Sequence, residues 1–405
     1  MGCAAGACPP LAVLGRDVLL TALHLDLSTL SGRADITVAG SPDEGLSFEV
    51  GDSTIDSVTM GGVALAHRVV GRQLDIGVPA SSAPLTVTIE YRFHAHSMLD
   101  GWIPASGVSL LWPHYCGNLF PCHSRPSDGS RFTLDVVGVP SGATAVYPTS
   151  IDSDAPTYMP ALAVGTYTYR ALGTTSAGTD VGVYHLPGSA SAATSGTSGL
   201  TGYVDFFETT LGAYSFGPRV ASVEAPWGGG AYGGMEHHPY FHVSSIAMSD
   251  RYVQAHEAAH GWFGNGVRIA CWEDFVLSEG LATYLGARAV EEVDGTTASD
   301  ALWASFGSQL DAAVASGDTI ALPDGTCDAI DIATHPLWSN IPYMKGAFFL
   351  RELELAVGRS ALASFYVAHV GGAARMQDLL THIQMQTGFD PSALATAWLR
   401  SLGHP

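Results

Sequence analysis

Residues 252–264, "YVQAHEAAHGWFG", decide how this chain reads, because they set His256, Glu257 and His260 in one proline-free run. At about 100° per residue, a helix leaves the two imidazoles only about 40° apart, with Glu257 about 60° to the side of His260. Two ring nitrogens so placed can share one metal ion, and the carboxylate then stands beside it. Chance would produce this five-residue pattern in a chain of this composition with a probability of about 0.06, so a third ligand has to decide the matter. "CWEDFVLSEGLATYL", residues 271–285, supplies it: Glu279 follows His260 after 18 intervening residues, in a helix-like pattern marked by Val276, Leu277, Ala282 and Leu285. Requiring an acid at that one offset lowers the chance about tenfold. His256, His260 and Glu279 therefore read as three ligands of a single zinc ion (Zn2+), with the fourth position left to water. Glu257 is placed to take that water's proton and later to return it to a leaving group.

A second histidine-rich stretch fails the same geometric test. In "GGMEHHPYFH", residues 233–242, Pro239 and the run Tyr240-Phe241-His242-Val243 favour an extended chain. His238 and His242 would then lie about 13 Å apart, at about 3.3 Å per residue. One zinc cannot bridge that distance. Thr283, one helical turn after Glu279, reads as an ordinary helix-surface residue, with a hydrogen bond to a metal ligand as the alternative.

Composition bounds the partners and the compartment. The chain has 405 residues, 47% of them hydrophobic, enough for two domains with their own cores. Its 38 Asp plus Glu against 17 Lys plus Arg give a net charge of -21, which repels a phosphate backbone, so no nucleic-acid partner is expected. No run of about 18 uncharged apolar residues occurs, so no transmembrane segment is expected. Cysteines fall as Cys3/Cys8, Cys116/Cys122 and Cys271/Cys327, none with the spacing of a structural zinc site. Disulfides in an extracellular or periplasmic setting and buried free thiols both fit, and a cytoplasmic location is not excluded. Cys3, after Met-Gly, is a candidate lipid-anchor position.

The grammar of the chain changes near residue 175. Before it, "ADITVAG", "LTVTIEYRFHA", "RFTLDVVGVP" and "GTYTYRAL" are β-branched, aromatic runs between turn residues, which predicts an antiparallel β domain over residues 1–175. After "VGVYHLP" the segment "GSASAATSGTSGL" fits a loop or a helix start, and longer helical patterns follow through 176–405. The fold class is α+β multidomain.

The surrounding text resembles the M1 aminopeptidases, a gluzincin family. The likeness runs through "HEAAHGWFGN", "WEDFVLSEGLATYL", "GGMEH" (similar to the family's GAMEN motif) and "IPYMKGAFFLRELELAVG" (similar to its YxKG helix, with the chain's sole lysine, Lys345). "LFPCHSRPSDGSRFTLDV" and "AWLRSLGHP" extend it over most of the chain. The resemblance implies a thermolysin-like zinc peptidase domain acting on peptide substrates. It implies that Tyr343 donates to the oxyanion and that Glu236 pairs with the peptide's ammonium, while Gly233, Gly234 and Met235 take the peptide as an added strand. Two departures stand out. His237 replaces the motif's asparagine, and Trp112 occupies a position where family members often carry a second acid. The sequence stops at Pro405, where longer members continue into domains that cover the cleft, so a short form with a more open cleft is expected.

Three functions compete on these residues: a zinc aminopeptidase, a zinc endopeptidase or processing peptidase, and a non-catalytic secreted binding module. The loss of an acid at Trp112 favours the second. The complete set His256, Glu257, His260, Glu279 and Tyr343 argues against the third.

Overall fold

Strands form in the first part of the chain where apolar and polar side chains alternate. Ser31–Val38 buries Gly32, Ala34, Ile36 and Val38 and turns Arg33, Asp35 and Thr37 to the other face. Val18–Asp26 and Leu85–Arg92 flank it antiparallel, with Ala34 opposite Leu23 on one side and Ile89 on the other. In this computed structural model, which describes residues 15–228, 233–325, 327 and 330–405, the sheet has seven strands. Their order is Ser150–Pro156, Gly129–Val137, Val18–Asp26, Ser31–Val38, Leu85–Arg92, Thr54–Met60 and Val63–Ala64. Antiparallel pairing prevails, but Val18–Asp26 runs parallel to Gly129–Val137, with Leu23 opposite Leu134. Smaller sheets of three and four strands accompany it. Trp112 and Leu110 are buried just beyond the strand Val108–Ser109.

The chain divides into two compact units, Met1–Tyr167 with Ala225–Trp227, and Thr168–Glu224 with Gly228–Pro405. The division at Tyr167/Thr168 lies several residues before the change of grammar near 175. Thr168–Thr174 has the composition of the preceding strands but pairs with Asp180–His185 in the second unit. Composition marks a strand without saying which sheet it joins.

The second unit holds a five-stranded sheet in the order Thr168–Thr174, Asp180–His185, Arg219–Ala225, Tyr240–Ser244 and Gly234–Met235. The Ser/Gly/Ala-rich run becomes the helix Ala190–Gly196. At the centre lies the helix Phe275–Asp294, buried at every residue from Phe275 to Ala287, as a helix apolar on all sides must be. Two glycines let its neighbours approach backbone to backbone. A Cβ at Gly286 would meet the His256 amide at 3.1 Å, and one at Gly280 would meet Gly346 Cα at 2.8 Å. These contacts set the heights of the helices Arg251–Ala259 and Asn340–Val357 against Glu279. Bridges join Cys116 to Cys122 and Cys271 to Cys327. Cys3 and Cys8 lie outside the described residues. Among the described residues, no helix is long and apolar enough to cross a membrane.

Candidate active site

Asp250 caps the helix Arg251–Ala259, its carboxylate accepting from the Tyr252 and Val253 amides at 2.9 and 3.2 Å. The cap starts the helix in the register that the histidine spacing requires. His256 and His260 then bring their Nε2 atoms to 3.2 Å from each other. Glu279 Oε2 reaches across from the central helix to 3.2 Å from His256 Nε2 and 3.4 Å from His260 Nε2. All three side chains are buried.

This triangle fits zinc. Ligand bonds of about 2.0–2.2 Å in a tetrahedron hold ligand atoms roughly 3.3–3.6 Å apart, and the observed edges are 3.2, 3.2 and 3.4 Å. Charge points the same way. Three buried carboxylates, Glu236, Glu257 and Glu279, converge on two histidines, and a cation at the ligand set compensates a cluster that burial alone disfavours. His260 is oriented from behind, its Nδ1 donating to Phe263 O at 3.0 Å.

Glu257 projects beside the ligands and rests against bare backbone. A Cβ at Gly234 would lie 2.4 Å from Glu257 Oε1. Burial, with Glu236 and Glu279 adding to it, pushes its carboxyl well above the usual range despite the opposing pull of His260. Glu236 stands close by: one of its oxygens lies within 4.8 Å of ligand atoms of both Glu257 and His260. Burial raises its carboxyl to about 7, against the pull of His260 and with the push of Glu279.

Gly234–Met235 pairs antiparallel with the strand beside it, Gly234 opposite Val243 and Met235 opposite His242, and forms the last strand of the sheet order. The Tyr343 ring stacks on His256 with centroids 6.0 Å apart and meets Phe275 edge-on at 5.7 Å. It projects from the first turn of Asn340–Val357, behind a Ser339 cap. Trp112 belongs to the other unit.

The histidines of 233–242 stay out of the metal set: among the described residues, no cluster of potential metal ligands includes His237, His238 or His242. His237 and His242 nevertheless meet ring to ring, centroids 5.1 Å apart. His238 fastens the strand segment to the metal-binding helix. Its Nε2 donates to Glu257 O at 2.8 Å while Nδ1 accepts from the Tyr214 hydroxyl at 2.8 Å, and burial holds its pKa down at about 3, so the ring is neutral. Asn265 does a parallel job, Nδ2 donating to Glu236 O at 2.7 Å. Sequence reasoning assigned neither role. The signal for Asn265 lay in "HEAAHGWFGN", where it ends the run; nothing local marks His238. Thr283, read as a surface residue, is fully buried, because the central helix is enclosed on that face too.

Two histidines one helical turn apart, an adjacent glutamate, and a third potential ligand from the following helix make an arrangement like that of the gluzincin zinc metallopeptidases. Residues 241–398 match the peptidase family M1 domain. Over 327 residues it is 28% identical to aminopeptidase M1-D of Oryza sativa subsp. japonica, an alignment covering 71% of this chain and 36% of the relative. It is 30% identical over 156 residues to aminopeptidase N of Streptomyces lividans, covering 36% of this chain and 18% of that protein. The chain thus spans about a third of the length of the rice relative. An M1 zinc metallopeptidase from Deinococcus radiodurans superposes with a TM-score of 0.78 at 22% identity, covering 96% of this chain and 95% of that one. Leukotriene A4 hydrolase from Saccharomyces cerevisiae does so with a TM-score of 0.81 at 20% identity, covering 96% and 68%. The fold is that of the M1 zinc metallopeptidases.

Proposed function

We propose that the chain is a zinc-dependent aminopeptidase that releases the N-terminal residue of peptides. One observation carries the exopeptidase half of this reading: the Glu236 carboxylate sits at the end of a two-residue strand, within 4.8 Å of ligand atoms of both Glu257 and His260. A peptide ammonium brought there finds a charge-assisted partner at a fixed distance from the catalytic groups, and that distance selects the first peptide bond.

Held by His256, His260 and Glu279, zinc supplies a Lewis acid and lowers the pKa of water towards about 7. Glu257 takes the proton of the attacking water and passes it to the leaving amine; its burial-raised proton affinity suits the second of these acts. Tyr343 offers a phenol O–H to the oxyanion that develops at the carbonyl. Gly234–Met235, last in its sheet, offers backbone groups to an extended substrate. The names of the curated relatives support this reading, as do structures of a two-domain M1 zinc metallopeptidase bound to L-tryptophan and to L-arginine, the kind of product such a reaction releases. The two bridged cysteine pairs support an oxidising compartment.

The test compares wild type with Glu236→Gln on an unblocked hexapeptide, with products followed by mass spectrometry. Wild type should shorten the peptide one residue at a time from its N-terminus, and the variant should lose roughly 10- to 100-fold in kcat/KM. Internal fragments from wild type, unaltered in the variant, would support the endopeptidase instead.

A further inference from the structure

His256 Nε2 faces Glu279 and His260, so Nδ1 must carry the ring proton when Nε2 serves as a ligand. A metal-bound imidazole usually gives that N–H to a carboxylate, a backbone carbonyl or water. His260 follows the rule with Phe263 O. His256 differs. The group set against its Nδ1 is the phenol oxygen of Tyr252, one helical turn earlier, at 3.5 Å. The Tyr252 ring lies 5.9 Å from the imidazole and meets the Phe306 ring at 5.1 Å.

We propose that Tyr252 is a positioning residue for the metal ligand His256, its phenol oxygen accepting the Nδ1–H. That bond fixes the tautomer and plane of the ligand. This inference rests on the zinc reading above.

The test uses the zinc-loaded enzyme and one near-isosteric change, Tyr252→Phe. Zinc affinity is measured by competition with a chelator, and the melting temperature of the metal-free form is measured in parallel. Loss of a ligand's hydrogen-bond partner costs roughly 10- to 100-fold in metal affinity; for a neutral acceptor, about 10-fold is expected in Tyr252→Phe. The melting temperature of the metal-free variant should be little changed. Unchanged zinc affinity in Tyr252→Phe would overturn the inference, as would a loss that merely follows a drop in metal-free stability. A wild type that binds no zinc overturns the metallopeptidase reading and this inference with it; a wild type with one zinc beside an unaffected Tyr252→Phe overturns this inference alone.

Discussion

Gly234→Ala asks whether Glu257, the proposed general base, is positioned by an absent side chain. The added Cβ would sit 2.4 Å from Glu257 Oε1 and 2.5 Å from its Cδ and Cγ, where ordinary contact begins at 3.4 Å. The carboxylate must therefore withdraw by about 1 Å. A displacement of that size between catalytic groups costs on the order of 100-fold, within the roughly 10²- to 10⁴-fold that a general base contributes. Steady-state kinetics on an aminoacyl p-nitroanilide should show kcat about 100-fold down, while KM and zinc content stay near wild type. Gly233→Ala is the internal control, because its Cβ would meet nothing closer than Val253 Cγ2 at 3.7 Å. Full kcat in Gly234→Ala, or an equal loss in Gly233→Ala, would refute the reasoning.

Other outcomes follow from the same geometry. Tyr343→Phe keeps the ring packing on His256 and Phe275 and removes the donor, so kcat should drop roughly 10²- to 10³-fold at unchanged zinc content, read by kinetics and metal analysis. Asn265→Ala leaves Glu236 O without its buried donor and should lower stability by about 1–3 kcal/mol, visible in chemical denaturation. Lys345, whose side chain is fully buried, donates to Thr319 O at 3.1 Å and Ser401 O at 2.9 Å, so Lys345→Met should lower the melting temperature, as differential scanning calorimetry would show. Chain-entropy arguments give the Cys271–Cys327 bridge, which spans 56 residues, about 4 kcal/mol of stabilisation. The Cys116–Cys122 bridge spans 6 and should give about 2 kcal/mol, so serine pairs at the two sites should differ by about 2 kcal/mol in denaturant.

The metal triangle was readable in the sequence because its chemistry is local. Helical spacing sets His256 against His260, and a fixed offset brings in Glu279. The strands Ser31–Val38 and Leu85–Arg92 were readable for a similar reason, since a two-residue alternation is a local signal. What the sequence hid depends on partners far along the chain. Val18–Asp26 pairs in parallel with Gly129–Val137, and nothing in either strand's composition marks the direction. Nor does composition say that Thr168–Thr174, a strand like those before it, pairs with Asp180–His185. Thr283 looked like a surface residue because one helix's pattern does not reveal how many neighbours enclose it. His238 and Asn265 act by holding backbone carbonyls, which leave no trace in side-chain spacing. Gly234 belonged to a strand that seemed to need glycine for its substrate, and the structure shows that Glu257 occupies the space.

The claim that Glu236 makes this zinc peptidase an aminopeptidase is tested most directly by one ratio: kcat/KM of the wild-type enzyme on a peptide with a free N-terminus against the same peptide N-acetylated. Acetylation removes the ammonium that the Glu236 carboxylate would hold while leaving the bonds beyond it intact. The account predicts that the free peptide is cleaved after its first residue and that acetylation lowers kcat/KM at least roughly 100-fold. Equal cleavage of the two peptides would contradict it.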